Sequence, residues 1–155
     1  MRWRDRQSID ARGFSLVELL IVTAILGILA AILIPQLDLH AAKAREATAK
    51  DNLRILRNAI ELYAMQHNNI PPGYAGNDTS QMPMGIWVYR QLVDPGDYLS
   101  DIPENPFNES NTINAVDAPP AGPAGIHGWI YCPATKEIHV NSAGVDSQGV
   151  AYFDY

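Results

Sequence analysis

An apolar run broken by a single acid constrains this chain more than any other feature. Leu19 to Ile34 reads LLIVTAILGILAAILI without a charge; from Phe14 to Leu37 the run spans 24 residues, with Glu18 its only ionisable group. About 20 apolar residues, each rising 1.5 Å, cross a bilayer core, so the length predicts a transmembrane helix. A buried core helix should show a polar face, and this run has none. A cleaved secretory signal would have an apolar region of about 7–15 residues and a small-x-small cut site, which Ala24, Ala30 and Ala31 can mimic. A carboxylate in hydrocarbon costs on the order of a few kcal/mol, so Glu18 is a functional candidate unless it sits solvated at the headgroup boundary.

At 155 residues the chain is about one domain long. Its formal charge is −6, unevenly spread: residues 1–13 hold Arg2, Arg4, Arg6 and Arg12 against Asp5 and Asp10, which leaves −8 for the rest. That balance argues against a nucleic-acid partner. A basic block ahead of an apolar segment is a targeting signal before it is structure. The single cysteine, Cys132, excludes an intramolecular disulfide, and its position before Pro133 suits a small buried hydrophobe.

The residues around Glu18 give the run its meaning. A basic leader ends at Gly13; Phe14, Ser15, Leu16, Val17 and Glu18 follow, and Pro35 falls 22nd counting from Phe14. This pattern resembles the type IV pilin and pseudopilin superfamily. The resemblance implies that a prepilin peptidase cuts between Gly13 and Phe14 and methylates the new Phe14 amine. Cleavage would leave a positive α-amine at the membrane's edge. In an open helical polymer Glu18 of one subunit can pair with the Phe14 amine of the next, which favours the correct axial register. Arginines of the leader favour a cytoplasmic N-terminus, yet Lys43, Arg45, Lys50, Arg54 and Arg57 lie beyond the run, so charge alone leaves topology open. The resemblance places the C-terminal part outside the cytoplasmic membrane of a bacterium.

Residues 38–67 contain no Gly or Pro, and Ala42, Ala49, Leu53, Leu56, Ile60, Tyr63 and His67 form one apolar stripe. Glu46 and Lys50 form an i, i+4 pair on the charged face. Asn68, Asn69 and Pro71-Pro72-Gly73 predict the stop, for a helix of about 80 Å. Pro35, lacking an N–H, is expected to loosen or bend it. The stripe can be a coiled-coil seam or a seat for the chain's own downstream segment; its shortness favours the latter. Downstream, IWVYRQL (86–92) predicts a short helix docking Trp87 and Leu92. GWIYC (128–132) and EIHVN (137–141) predict an antiparallel hairpin turning at 133–136, and APPAGPAG (118–125) a polyproline-like loop.

These segments sharpen the resemblance. NNIPPG, then Tyr98, Leu99, Ile102, Pro103, Asn105 and Pro106, then the hairpin look like the major pseudopilin of type II secretion. The stretch from Pro72 to Asp94 and the APPAGPAG loop depart from that pattern and leave secretion and a surface pilus both open. The expected organisation is a cleaved leader (1–13), a transmembrane polymerisation segment (14–37), an amphipathic helix half (38–69) and a globular part (70–155). The expected fold is α+β and pilin-like, a long N-terminal helix packed against a small antiparallel sheet with long loops.

No constellation of catalytic residues is legible. His40, His67, His127 and His139 are scattered without zinc spacing. Asp94, Asp97, Asp101 and Glu104 lie in a Pro-rich loop without a base or nucleophile and read as solvated charge. The resemblance implies a calcium loop near the C-terminus; Ser142–Gly149 is the corresponding stretch, with Asp146 its sole acid, and an Asx-type turn is the simpler reading. The expected protein is not an enzyme and carries no cofactor. Gly13 and Phe14 serve processing and methylation, Glu18 and Pro35 assembly. The partners implied are further copies, minor pseudopilins, the peptidase, an inner-membrane secretion platform and membrane lipid. A membrane-anchored enzyme or binding domain, the remaining alternative, predicts a convergent polar pocket in residues 74–155.

Overall fold

The computed structural model describes residues 14–94 and 96–155, with residues 33–39 described by backbone alone. Helix α1 runs Leu16–Gln66. It is followed by a 3-10 turn at Ala75–Asn77, α2 (Gly85–Leu92), β1 (Ile113–Ala115), β2 (Trp129–Cys132), β3 (Glu137–Val140) and a second 3-10 turn at Tyr152–Asp154. The chain divides into two compact units at His40/Ala41. Position 35 is helical, so Pro35 does not end α1, and its side chain lies outside the described residues. Asn68 and Asn69 close the helix with φ of 55° and 64°, a left-handed conformation that asparagine tolerates better than most residues.

In the second unit the predicted stripe is the helix's buried face. Ala49, Leu53, Leu56, Ile60 and Tyr63 join Val88, Leu92, Leu99, Ile102, Trp129, Tyr131, Ile138 and Val140 in one core. Ala42 is exposed and His67 half-buried, so the seat spans 49 to 64. Each edge of the stripe is held by a different segment. Lys50 and Arg57 reach the C-terminal part: Lys50 Nζ pairs with Asp146 at 3.4 Å, and Arg57 donates to the carbonyls of Ile138 (3.1 Å) and Tyr155 (2.8 Å). On the other edge Asn52 donates to the Glu104 carbonyl at 2.9 Å, and the Tyr98 hydroxyl bonds Gln66.

The sheet corrects one expectation. It is mixed, in order β1-β2-β3, with β2–β3 antiparallel and β1–β2 parallel. The hairpin forms as read, Trp129 opposite Val140 and Tyr131 opposite Ile138, with Lys136 at φ 61° in the turn. The additional strand is three residues long and too short to show alternation. Parallel pairing needs a crossover of about a dozen residues or more, and the 116–128 connection, which includes APPAGPAG, supplies it. Asn141 ties that loop down. Its Nδ2 donates to the carbonyls of Ala124 and His127, both at 2.8 Å, while its Oδ1 accepts from the Ala124 amide at 2.6 Å. Two glycines set the close approaches: a Cβ on Gly85 would overlap the Ile113 carbonyl, and one on Gly128 the Ser110 carbonyl.

Two further expectations change. Helix α2 buries Val88 and Leu92, not Trp87, whose half-exposed ring lies under Arg90 with the guanidinium 5.0 Å from its centroid. Glu46 does not pair with Lys50 on a charged face. It is buried and accepts from the amide (3.1 Å) and hydroxyl (3.2 Å) of Ser147. The Tyr131 hydroxyl is buried without a hydrogen-bond partner, and burial raises its pKa far above the usual phenol value.

Candidate functional site

The first turn of α1 is built by Ser15 and Glu18. The Val17 amide donates to Ser15 Oγ at 3.3 Å, and the Ser15 amide donates to Glu18 Oε2 at 3.0 Å. This is a capping box: Ser15 caps the helix, and the acid three residues on reaches back to the cap's own N–H. Glu18 thus answers to the unsatisfied amides and the positive dipole end of its own helix. Ser15-x-x-Glu18 ahead of an apolar run is the sequence signal of this cap, distinct from the assembly role expected of Glu18. The box starts the helix at Leu16 and leaves Phe14 outside it, 81% exposed. Gly13, expected with Phe14 to serve processing, lies outside the described residues.

Beyond Glu18 the helix is apolar around its whole circumference. Leu19, Leu20, Ile25, Leu26, Ile28 and Ile32 are all at least half exposed. A helix uncovered on every side needs lipid or other helices around it. Among the described residues no helix is long and apolar enough to cross a membrane. The described side chains of the run stop at Ile32, whereas the sequence run continues to Leu37.

Asp146 is organised as a loop closure. Its Oδ1 accepts the amides of Gln148 (2.8 Å) and Val150 (2.9 Å), and its Oδ2 faces Lys50. Lys50 also lies 4.1 Å from the centre of the Tyr155 ring. These residues do not fit a calcium ion: one carboxylate oxygen is taken by amides and the other faces an ammonium. Among the described residues no group of three or more His, Cys, Asp or Glu is placed to hold a metal. The Val150 hydrogen bond, followed by those of Gln148 and Lys50, holds Asp146 below the usual carboxylate range against an opposing effect of burial. Its stabilisation is therefore present above about pH 3.9, the unfolded value, and is lost as pH falls through the folded one. The melting temperature of the wild-type chain should fall in that acid window, and Asp146→Asn should flatten the fall; parallel curves would refute the assignment.

The remaining candidates pack. Cys132 is buried and free. His67 stacks on Tyr63, His139 stacks on Phe153 and bonds its carbonyl, and His127 bonds Thr112. A cavity of about 300 Å³ between α2 and β1 is lined mainly by Ile86, Tyr89, Ile102 and Ile113. Asn105 belongs to the Tyr98–Pro106 stretch. It is fully buried and joins the Gly128 carbonyl, the Ser142 hydroxyl and the Phe107 amide.

A capped apolar helix, continued into an amphipathic half that seats a small mixed sheet, defines a protein of pilin-like architecture. Residues 10–34 match the family described as prokaryotic N-terminal methylation motif. The chain is 33% identical over 96 residues to type II secretion system core protein G of Pseudomonas aeruginosa, covering 61% of this chain and 67% of that one. It is 32% identical over 96 residues to the core protein G of Aeromonas hydrophila, covering 61% and 66%. The type IV major pilin protein PilA of Myxococcus xanthus is 52% identical, over 48 residues that cover 31% of this chain and 22% of the pilin. The chain belongs to the family of type II secretion system core protein G, the major pseudopilin. The core-protein matches cover about two thirds of those relatives' length. No solved structure matches the chain significantly.

Proposed function

We propose that this chain is a structural subunit that polymerises into the pseudopilus of a type II protein secretion system. The observation that carries this reading is the reach of the similarity. The Aeromonas and Pseudomonas core proteins G match over 96 residues, more than the N-terminal helix holds, whereas the Myxococcus pilin match is 48 residues long. In this reading the leader is removed after Gly13 and Phe14 is methylated. The apolar helix holds the subunit in the bacterial inner membrane with residues 41–155 outside the cytoplasm. Assembly then draws it into a filament with further copies and minor pseudopilins. Its work is mechanical: it catalyses no reaction and needs no cofactor. The prepilin peptidase and the inner-membrane secretion platform are its other partners. A surface pilus is the second reading, supported by the pilin match and by a fimbrial protein of Pseudomonas aeruginosa, 38% identical over 68 residues.

Mass spectrometry of the chain from processing-competent cells tests the first step. Loss of residues 1–13 with one added methyl on Phe14 is expected, and an intact Met1 or a cut near Ala30 would overturn it. Deleting the chain should then stop export of folded proteins without affecting surface pili; the converse would favour the second reading.

A further inference from the structure

Beyond residue 40 five of the seven Lys and Arg side chains are engaged among the described residues. Lys50, Arg54 and Lys136 are in ion pairs, Arg57 donates to two carbonyls, and Arg90 lies over Trp87. Lys43 and Arg45 are exposed and have no partner among the described residues. Asp94 and the loop 96–104 carry the opposite surplus: Asp94, Asp97, Asp101 and Glu104 are all exposed, and none is in an ion pair among the described residues. The two surpluses do not meet within one copy. The loop lies along the Asn52–Gln66 edge of α1, with Glu104 at the level of Asn52. Lys43 is nine residues earlier, which is two and a half turns and about 13 Å along the axis, so it faces the opposite edge, in line with Lys50 and Arg57.

Copies lying side by side in one orientation present unlike edges to each other. We propose that loop 96–104 of one copy docks on the Lys43 edge of the next, staggered along the helix by about 13 Å. The occupant is thus a second copy of this chain, chosen by charge complementarity. The contact rests on the filament reading above and adds to it a register lock in the globular part. A single exposed pair is weak, but the contact repeats at every subunit of the polymer and disfavours other staggers. Arg45 lies on the loop's own edge, seven residues below Asn52, and takes no part.

The test is charge exchange in the full chain, produced with its assembly machinery and read as filament sheared from cells. Lys43→Glu and Glu104→Lys should each lower the yield about tenfold, and the double exchange should return it to within about twofold. Arg45→Glu should assemble as wild type, and subunit levels and N-terminal processing should be unchanged throughout. A double variant no better than either single one overturns the proposal. So does equal loss in Lys43→Glu and Arg45→Glu with Glu104→Lys unaffected, which marks anionic lipid headgroups as the partner. A wild-type chain that yields no filament refutes the underlying reading instead, and the proposal with it.

Discussion

A Glu18→Gln chain is expected to be processed, to accumulate normally and to build almost no filament. The substitution isolates charge from capping. The glutamine oxygen can still accept the Ser15 amide that lies 3.0 Å from Glu18 Oε2, so the helix should still begin at Leu16. The negative charge that would meet the Phe14 amine of an adjacent subunit is lost. Leaving a buried ionic partner uncompensated costs about 3–5 kcal/mol, or more than about a hundredfold in affinity at each contact. Glu18→Ala also removes the acceptor of the Ser15 amide and should fray the first turn by about a further 1 kcal/mol. Sheared filament by immunoblot, read beside the mass of the mature N-terminus, separates the effects. Filament from the glutamine variant at the wild-type level would mean that the acid is retained for capping alone.

Much of this protein was legible because its signals are periodic. The stripe from Ala49 to Tyr63 repeats with the helical turn, the Asn68-Asn69 stop is local chemistry, and the hairpin is bounded by its own turn. The misreadings came where a distant segment decides. Glu46 looked like half of a surface pair because Ser147, which claims its carboxylate, arrives from 101 residues away. Trp87 looked like the anchor of α2 because it is the largest apolar residue there; in an eight-residue helix, one step around the axis exchanged it for Val88. Strand β1 has only three residues, and its parallel partner is reached through a loop with no pattern of its own. At the N-terminus the apolar run and the acid were visible, but the capping bond of Glu18 was masked by the assembly role expected of it.

The globular part stands or falls with Trp129, and Trp129→Ala should unfold it. Trp129 has no solvent exposure and sits in the central strand, paired with Ile113 on one side and Val140 on the other. Its Nε1 donates to the Pro103 carbonyl at 2.7 Å, which fastens the 98–106 segment to the sheet. Truncating a buried tryptophan costs about 3–5 kcal/mol. An orphaned carbonyl adds about 1–3 kcal/mol, against a typical total of about 5–15 kcal/mol. Trp129→Phe keeps a six-membered aromatic ring but loses the pyrrole part of the indole with its N–H, so it should cost less than alanine and lower the melting temperature by several degrees. Both are measured on the full chain by near-ultraviolet circular dichroism on heating. A phenylalanine variant that melts with wild type would show that the Pro103 bond contributes nothing. An alanine variant that melts within a few degrees of wild type would remove Trp129 as the keystone and require helix α1 and its stripe to hold the sheet by themselves.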